Sequence, residues 1–302
     1  MPGSSESCSD GGQCSELPGM VADAVQHDSV VVDVRRVALE TWMVRLRCPE
    51  IARRIVPGQF LMIRPTGTSS DPLLGRPFAL YRVFNDSDGK PADVEFGFVR
   101  VGKMTSLMAE WRPGDRVRVW GPLGNGFPLP ECQHLICVAG GIGQTPFLTV
   151  LQEAKRLRTF GVPERNPKTI PETLTMCYGV RSREAIAGVE DFEQSGIGMQ
   201  IATEDGSFGH HGRVTDVLRR CLSESRGSVW VYSCGPEPMM KAVAEICAEV
   251  DVPCWLSLET PMACGFGACF SCVTRVREPD GSWDYRRTCV EGPVFRADRL
   301  LL

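Results

Sequence analysis

The sequence predicts a multidomain α+β protein with three folded units in series: an antiparallel β-barrel, an α/β unit on a parallel sheet, and a small cysteine-rich unit. Three observations predict this. Short β-like runs separated by turns fill residues 28–128, strand, glycine-turn and helix patterns repeat through 129–256, and closely spaced cysteines dominate 257–302. Residues 1–27 are rich in Ser, Gly and Asp and predict a disordered arm.

The composition and charge of the chain limit the classes of partner that it can bind. The chain has 302 residues, 43% of them hydrophobic, and a net charge of -4 with both signs interspersed. No basic stripe argues for nucleic acid, and no apolar run is long enough to cross a bilayer. Because no signal peptide is recognisable, we expect a cytoplasmic protein, in whose reducing environment the 14 cysteines are not paired as disulfides.

The barrel is predicted from six β-like runs: "VVVDVRRVAL", "TWMVRLRC", "GQFLMIRP", "FALYRVF", "VEFGFVRV" and "DRVRVWGPL". The segment "NDSDGK" has the composition of a hairpin turn. Only one helix is predicted here, over Thr105–Trp111. Many short strands with one helix are typical of a small antiparallel barrel.

The α/β unit is predicted from strands that each lead into a turn and a helix. "HLICVAG" precedes a helix with Thr145 as N-cap and Pro146 at its first position. A second helix is expected around residues 183–194 and another from Pro238. The segment "TEDGSFGHHGRVTD" is predicted to be a loop that exposes two adjacent histidines, His210 and His211.

Four cysteines at the carboxyl end carry the most specific signal. Cys264, Cys269, Cys272 and Cys289 have the spacing C-x4-C-x2-C-x16-C, the plant-type arrangement for a [2Fe–2S] cluster. The small residues between the first three leave backbone N–H groups free to point at the cluster. A structural zinc is the alternative, although it usually shows two C-x2-C pairs. The other ten cysteines are interpreted as small hydrophobes.

These residues also carry a resemblance. "MACGFGACFSCVTRV" followed by "YRRTCVEGPVF" resembles the cluster domain of the electron-transfer subunit of class 1B dihydroorotate dehydrogenase, in the ferredoxin reductase superfamily. Related subunits of soluble NADPH:ferredoxin oxidoreductase and sulfide dehydrogenase usually have Asp at the first ligand position, and Cys264 at this position favours the resemblance to the dihydroorotate dehydrogenase subunit. The resemblance spans about residues 28–300 and implies four units: arm 1–27, FAD-binding barrel 28–128, NAD-binding domain 129–256 and cluster domain 257–302.

Two glycine-rich turns point to a dinucleotide crevice. "AGGIGQTP" resembles the superfamily motif G-G-x-G-x-x-P, and "SCGPEPMM" resembles the Cys-Gly-Pro segment that lies beside the nicotinamide. Both follow predicted parallel strands, whose carboxyl ends share one crevice. Cys234 is equally compatible with a buried hydrophobe, and Arg181 and Arg183 with either a 2′-phosphate contact or solvent; the resemblance favours NAD. The residues expected to bind the dinucleotide are Gly140, Gly141, Gly143, Thr145, Pro146, Cys234, Gly235 and Pro236.

A flavin is expected because a cluster passes single electrons and nicotinamide takes a hydride. "GRPFALY" resembles the superfamily flavin motif, in which the Arg contacts the diphosphate and the aromatic lies against the isoalloxazine ring. "VGKMTSLM" offers N–H groups and hydroxyls at a helix start for the diphosphate, although Thr105 also fits a simple capping role. The residues expected to bind FAD are Arg76, Pro77, Phe78, Ala79, Tyr81, Gly102, Lys103, Thr105 and Ser106.

No catalytic residue is assigned, because hydride transfer needs no general base. The chain is also too short to add a (β/α)8 barrel. The resemblance therefore implies a separate FMN-containing dihydroorotate dehydrogenase subunit, two copies of each chain in a heterotetramer, and electron flow to NAD⁺ in pyrimidine biosynthesis. Two alternatives remain: a similar subunit of another soluble oxidoreductase, of the sulfide dehydrogenase, sulfite reductase or hydrogenase type, and a redox-sensing module without turnover.

Overall fold

The computed structural model describes residues 20–21, 23–66 and 71–302. The predicted arm lies outside the described residues at positions 1–19 and 22. Its carboxyl end was placed too late, because the first strand already begins at Val25. Val25, Gln26 and His27 pair with the last barrel strand, and this pairing extends the first strand beyond the apolar run "VVVDV".

The first unit is a closed antiparallel barrel, as predicted, with strand order β1-β2-β5-β4-β3-β6. Its strands are β1 (Val25–Ala38), β2 (Thr41–Arg47), β3 (Phe60–Pro65), β4 (Arg76–Asn85), β5 (Pro91–Val99) and β6 (Arg116–Leu123). Alternating residues fill the interior with aliphatic and aromatic side chains, among them Leu46, Phe78 and Phe96. A bulge between Leu80 and Arg82 interrupts the pairing of β4 with β5.

Two short helices belong to the barrel: α1 (Pro49–Arg54) and α2 (Lys103–Ala109). The sequence analysis missed α1 and placed the other helix two residues late. Gly102 is the N-cap of α2, and the Thr105 hydroxyl accepts a hydrogen bond from its N–H at 3.0 Å. This reciprocal capping starts the helix earlier than the apolar pattern indicates.

The second unit is a seven-stranded sheet with order β10-β9-β8-β7-β11-β12-β15. Its strands are β7 (His134–Gly140), β8 (Thr173–Val180), β9 (Met199–Thr203), β10 (His210–His211), β11 (Val229–Cys234), β12 (Cys254–Ser257) and β15 (Val294–Arg296). All neighbours are parallel except β15, which runs antiparallel to β12. The sheet is therefore mixed, because the cysteine-rich segment contributes its edge strand.

Helices cover both faces of this sheet: α3 (Phe147–Ala154), α4 (Val189–Gln194), α5 (Val214–Glu224) and α6 (Glu237–Glu249). The predicted Thr145 cap is wrong. Residues 141–144 form a 3-10 turn, Pro146 is the N-cap of α3, and the Thr145 hydroxyl donates to the Ile142 carbonyl at 3.0 Å. The helix expected over 183–194 is broken, because Gly188 adopts a left-handed conformation before α4.

The loop predicted around the two histidines is partly wrong. His210 and His211 form β10, which pairs with Ala202 and Thr203 at the sheet edge. The remaining strands, β13 (Val273–Arg277) and β14 (Trp283–Arg287), form a separate hairpin in the cysteine-rich unit.

Within the described ranges, no helix combines the length and apolar character that a membrane span requires.

Candidate functional site

The four predicted ligand cysteines converge on one loop region of the last unit. The sulfurs of Cys272 and Cys289 are 3.2 Å apart, and the Cys264 side chain hydrogen-bonds to Cys269. Cys272 and Cys289 are buried, whereas Cys269 is exposed. Across the described residues, no three His, Cys, Asp or Glu side chains are grouped tightly enough for one metal ion. Cys272 with Cys289 and Cys264 with Cys269 thus form two contacting pairs, and four cysteine thiolates are the ligand set of a [2Fe–2S] cluster.

Hydrogen bonds in this loop favour a thiolate at Cys269. Burial raises the pKa of Cys269, but the Ser271 hydroxyl, the Ser271 N–H and Cys264 outweigh it and lower that pKa to about 6. Burial raises the pKa of Cys289, and Cys272 adds to the shift, while the Gly267 N–H donates to Cys289 and opposes it. The thiol of Cys269, at the exposed edge of the site, thus ionises more easily than the thiol of Cys289 at its buried edge.

The cysteine loop packs directly on the barrel. The Trp120 indole N–H of β6 donates to the Cys264 carbonyl at 2.8 Å. Gly265, at φ +79°, lies so close to Met62 that a Cβ would overlap the Met62 side chain. Met62 lies on β3 opposite Pro77 of β4. The ligand loop therefore approaches the strand that carries the predicted flavin motif.

A cavity of about 550 Å³ opens where the parallel strands of the sheet end. Gly140, Gly141 and Ile142 line one wall, and Pro236 and Met239 line the other, so the two predicted turns do meet in one crevice. The barrel contributes residues that the sequence analysis missed: Leu39, Thr41 and Val99.

Two glycines let these turns touch. A Cβ on Gly140 would lie 2.7 Å from the Met239 sulfur, and one on Gly143 would overlap the Cys234 carbonyl oxygen. Burial raises the pKa of the Cys234 thiol to about 12, although a hydrogen bond from Ser257 opposes this shift. The Cys234 thiol is therefore held in its neutral form beside the crevice.

Arg76 begins β4 and is exposed, with its guanidinium donating to the Leu74 carbonyl at 3.0 Å. Lys103 at the start of α2 pairs with Asp71 in the loop just before Arg76. The two segments predicted to hold the flavin diphosphate are therefore neighbours. Gly102, Lys103 and Ser106 are exposed, and Thr105 is half-buried because it caps α2.

The aromatic residues of the flavin motif differ from the expectation. Phe78 points into the barrel core and packs on Phe96 at 4.9 Å between ring centroids. Tyr81 is fully buried, and its hydroxyl donates to Asp191 of α4 at 2.5 Å. Strand alternation places Tyr81 on the outer face of β4, where it packs into the apolar core of the second unit, so neither ring face is open to a ligand. Pro77 and Ala79 are only half-buried.

The barrel and the sheet unit meet along β4 and β5. Asp191 of α4 also pairs with Arg82 of β4. On β5, Gly97 lies so close to the side chains of Thr145 and Ile142 that an added Cβ would press against both. Gln144 is fully buried at this contact, and both of its amide atoms lack a hydrogen-bond partner among the described residues. The nucleotide turn is therefore anchored on the barrel strands that adjoin the flavin motif.

Comparison with known proteins assigns the chain to a family. Residues 259–301 match the iron-sulfur cluster binding domain of dihydroorotate dehydrogenase B, and residues 137–245 match an oxidoreductase NAD-binding domain. The chain is 37% identical over 270 residues to the dihydroorotate dehydrogenase B (NAD(+)) electron transfer subunit of Desulforamulus reducens, covering 89% of this chain and 95% of that one. It is 38% identical over 277 residues to the subunit from Geobacillus thermodenitrificans, covering 90% and 97%.

The chain belongs to the family of dihydroorotate dehydrogenase B electron transfer subunits. The solved structure of an NADH-dependent reduced ferredoxin–NADP oxidoreductase has the same fold, with a TM-score of 0.74 at 24% identity over 90% of this chain and 89% of that one.

The site fits the cofactors of a flavin and iron–sulfur electron transfer subunit. Four thiols in two pairs, with N–H groups aimed at their sulfurs, match a [2Fe–2S] cluster. The glycine turns and the cavity match a dinucleotide. Exposed Arg76 beside the start of α2 matches a diphosphate, since a guanidinium offers a planar set of donors to phosphate oxygens.

The sequence analysis missed a charged residue under the ligand loop. Arg287 donates to the Gly267 carbonyl at 3.1 Å and to Glu291 at 2.5 Å. Hydrogen bonding to Glu291 holds the pKa of Arg287 above its ordinary value. The spacing of Arg287 and Glu291 around Cys289 was the available signal, but it does not reveal which way the side chains point.

Proposed function

We propose that this chain carries electrons from an FMN-containing dihydroorotate dehydrogenase subunit, through a [2Fe–2S] cluster and FAD, to NAD⁺. Membership of the dihydroorotate dehydrogenase B family supports the role in pyrimidine biosynthesis. The matched cluster-binding and NAD-binding segments support both ends of the electron path within one chain.

One observation carries this proposal: β4 lies between the cysteine loop and the nucleotide crevice. On one side, Gly265 packs on Met62, the register partner of Pro77. On the other, Tyr81 of the same strand contacts Asp191, and the neighbouring Gly97 contacts the nucleotide turn. A flavin held along β4 would stand between the two other redox groups.

Each redox cofactor is bound by its own part of the chain. When bound, the cluster supplies single-electron exchange and FAD converts single electrons into a hydride. Cys264, Cys269, Cys272 and Cys289 hold the cluster. Arg76, with the Lys103 backbone N–H and the Ser106 hydroxyl, binds the flavin diphosphate, while Pro77 and Ala79 face the flavin. Gly102 and Thr105 cap the helix at this site, because the Gly102 N–H is bonded to the Thr105 hydroxyl. The FAD-binding, NAD-binding and cluster domains then span residues 28–128, 129–256 and 257–302, and β15 of the cluster domain extends the NAD-binding sheet.

Residues at the crevice position the nicotinamide dinucleotide. Gly140 and Gly141 line the cavity and bring backbone N–H groups close to its phosphates, and Pro236 closes the nicotinamide end. Gly143 lets this turn lie against the Cys234 carbonyl of the second turn, whose thiol is neutral. Arg181 and Glu204 line the same cavity. Glu204 suits a ribose 2′-hydroxyl, which favours NAD over NADP.

The dihydroorotate site belongs to a partner chain, and we propose a heterotetramer with two copies of each subunit, located in the cytosol. The description "electron transfer subunit" of the relatives supports the existence of a catalytic partner. The exposed edge of the cysteine loop at Cys269 leaves a route for electrons to enter from such a partner.

Anaerobic co-expression with the FMN-containing chain of the same organism tests this function. We expect the two chains to co-purify and to reduce NAD⁺ with dihydroorotate, while the catalytic chain alone reduces only an added dye. If this chain binds FAD and a [2Fe–2S] cluster and oxidises NADH, but neither binds the FMN chain nor reduces NAD⁺ with it, the subunit serves another oxidoreductase.

A further inference from the structure

Arg287 is a nearly buried cation beneath the cysteine loop. It ends β14 two residues before Cys289, and only 13% of its side chain is exposed. Its Nη1 donates to the Gly267 carbonyl at 3.1 Å, and its guanidinium carbon lies 4.9 Å from the Phe270 ring centroid. The guanidinium therefore contacts the ligand loop on both sides of Cys269.

Glu291 holds this cation in place. Its carboxylate accepts hydrogen bonds from Arg287 Nη2 at 2.5 Å, from Nε at 3.3 Å and from the backbone N–H at 2.7 Å. These contacts fix both the side chain and the end of β14. The two opposite charges are thus held together at the edge of the site.

The backbone next to Arg287 is hydrogen-bonded to one of the four cluster-ligand cysteines. The Thr288 N–H and hydroxyl both donate to the Cys272 carbonyl, at 2.8 and 3.1 Å. Thr288 is fully buried. Arg287 therefore has a defined position relative to the third and fourth ligand cysteines, Cys272 and Cys289.

We propose that Arg287 positions the Gly267–Phe270 turn and raises the reduction potential of the cluster that the four cysteines hold. This inference rests on the proposed function. Reduction adds one electron to a centre that already carries four thiolates, and no bond forms or breaks. A positive charge that is largely shielded from water stabilises the added negative charge, and cluster potentials respond to nearby charge and to hydrogen bonding.

The charge pair predicts opposite effects for its two members. Arg287→Gln leaves the Glu291 carboxylate uncompensated near the cluster and should lower the midpoint potential. Glu291→Gln leaves the guanidinium uncompensated and should raise it. Arg287→Lys keeps the positive charge and should restore most of the potential that Arg287→Gln loses.

Arg286 provides the matched control. It is the preceding residue of β14, but it pairs with Glu278 and Asp284 within the hairpin, and one third of its side chain is exposed. Arg286→Gln therefore removes a cation of the same strand without touching the ligand loop, and it should leave the potential at the parent value.

The measurement is a redox titration of the purified chain, followed by the electron paramagnetic resonance signal of the reduced cluster. Lower, higher and unchanged potentials for Arg287→Gln, Glu291→Gln and Arg286→Gln support the proposal. Equal potentials, or shifts of the same sign for the first two, overturn it and leave Arg287 a structural residue. If Arg287→Gln fails to hold a cluster, Glu291→Gln and Arg287→Lys still decide the sign. A parent chain that holds no cluster overturns the proposed function itself.

Discussion

Glycines decide how closely the two nucleotide turns approach. Gly143 has no room for a Cβ, because the Cys234 carbonyl occupies that space. A Cβ on Gly140 would likewise overlap the side chains of Pro236 and Met239. The motif "AGGIGQTP" predicted these glycines from their position after a strand. The sequence also predicted that the Cys-Gly-Pro turn shares the same crevice, but not that Gly143 would touch the Cys234 carbonyl.

Gly143→Ala should push the two turns apart and weaken NAD⁺ binding. Overpacking of this kind costs about 1–3 kcal/mol, so the dissociation constant should rise by about one to two orders of magnitude. Titration with NAD⁺, which does not reduce the oxidised flavin, against flavin fluorescence measures the change. Gly198→Ala is the control, since nothing lies within 4 Å of a Cβ there. Equal binding by both variants would mean that the turns can separate freely.

Arg76 is expected to act through its charge. Arg76→Ala should weaken FAD retention by about 1.5–3 kcal/mol, the contribution of a charge-assisted hydrogen bond. The flavin content after gel filtration measures it, with Arg53→Ala on α1 as an exposed control. A variant that keeps its full flavin content would show that Arg76 is only structural.

At the scale of elements, α3 buries a carboxylate behind the nucleotide turn. Glu153 is 3% exposed, accepts a hydrogen bond from Arg165 at 3.1 Å, and has one oxygen without a partner among the described residues. Burial raises the pKa of Glu153 to about 7, although Arg165 opposes the shift. The strand, glycine turn and helix pattern predicted α3, but not that one of its charged residues would face the core.

This carboxylate predicts a pH dependence of stability. Because the folded state holds the Glu153 proton more tightly than the unfolded chain does, the free energy of unfolding should fall as pH rises from about 4.5 to about 7. Glu153→Gln removes the titrating group and should flatten this decline in a series of thermal unfolding curves. The exposed control Glu190→Gln should keep the parent slope; a parent-like slope in Glu153→Gln would assign the decline to another group.

At the scale of the whole molecule, the cysteine unit and the crevice lie on opposite sides of the barrel strand β4. The ligand loop contacts β3 and β6 through Met62 and Trp120, whereas the nucleotide turn contacts β5. The edge strand β15 also ties the last unit into the NAD-binding sheet. Each unit therefore has its own set of cofactor-binding residues, although the units pack against one another and share a β-sheet.

Cys269→Ser should remove the cluster and spare the other two sites. The exposed Cys269 makes its contacts within its own loop, so FAD content and NADH-dependent dye reduction should remain while dihydroorotate-dependent NAD⁺ reduction is lost. Visible absorption and both assays measure this outcome. Cys132→Ala, at a buried position outside the loop, should keep the flavin, the cluster and both activities. Joint loss of flavin and cluster in Cys269→Ser would contradict the separation of the sites.

The sequence by itself determined the parts that depend on local pattern and spacing. Strand alternation predicted the barrel, strand and helix repeats predicted the second sheet, and the spacing of four cysteines predicted the cluster ligands. These signals work because side-chain periodicity and metal ligation act over a few residues.

Only the tertiary structure decided which distant residues meet. Packing of the second unit against β4 buried Tyr81 and brought its hydroxyl onto Asp191, and the antiparallel strand β15 joined a sheet predicted to be parallel. Arg287 became a neighbour of Gly267 only through the return of β14 to the ligand loop. Contacts of this kind depend on packing between elements that are far apart in the chain, and no local periodicity encodes them.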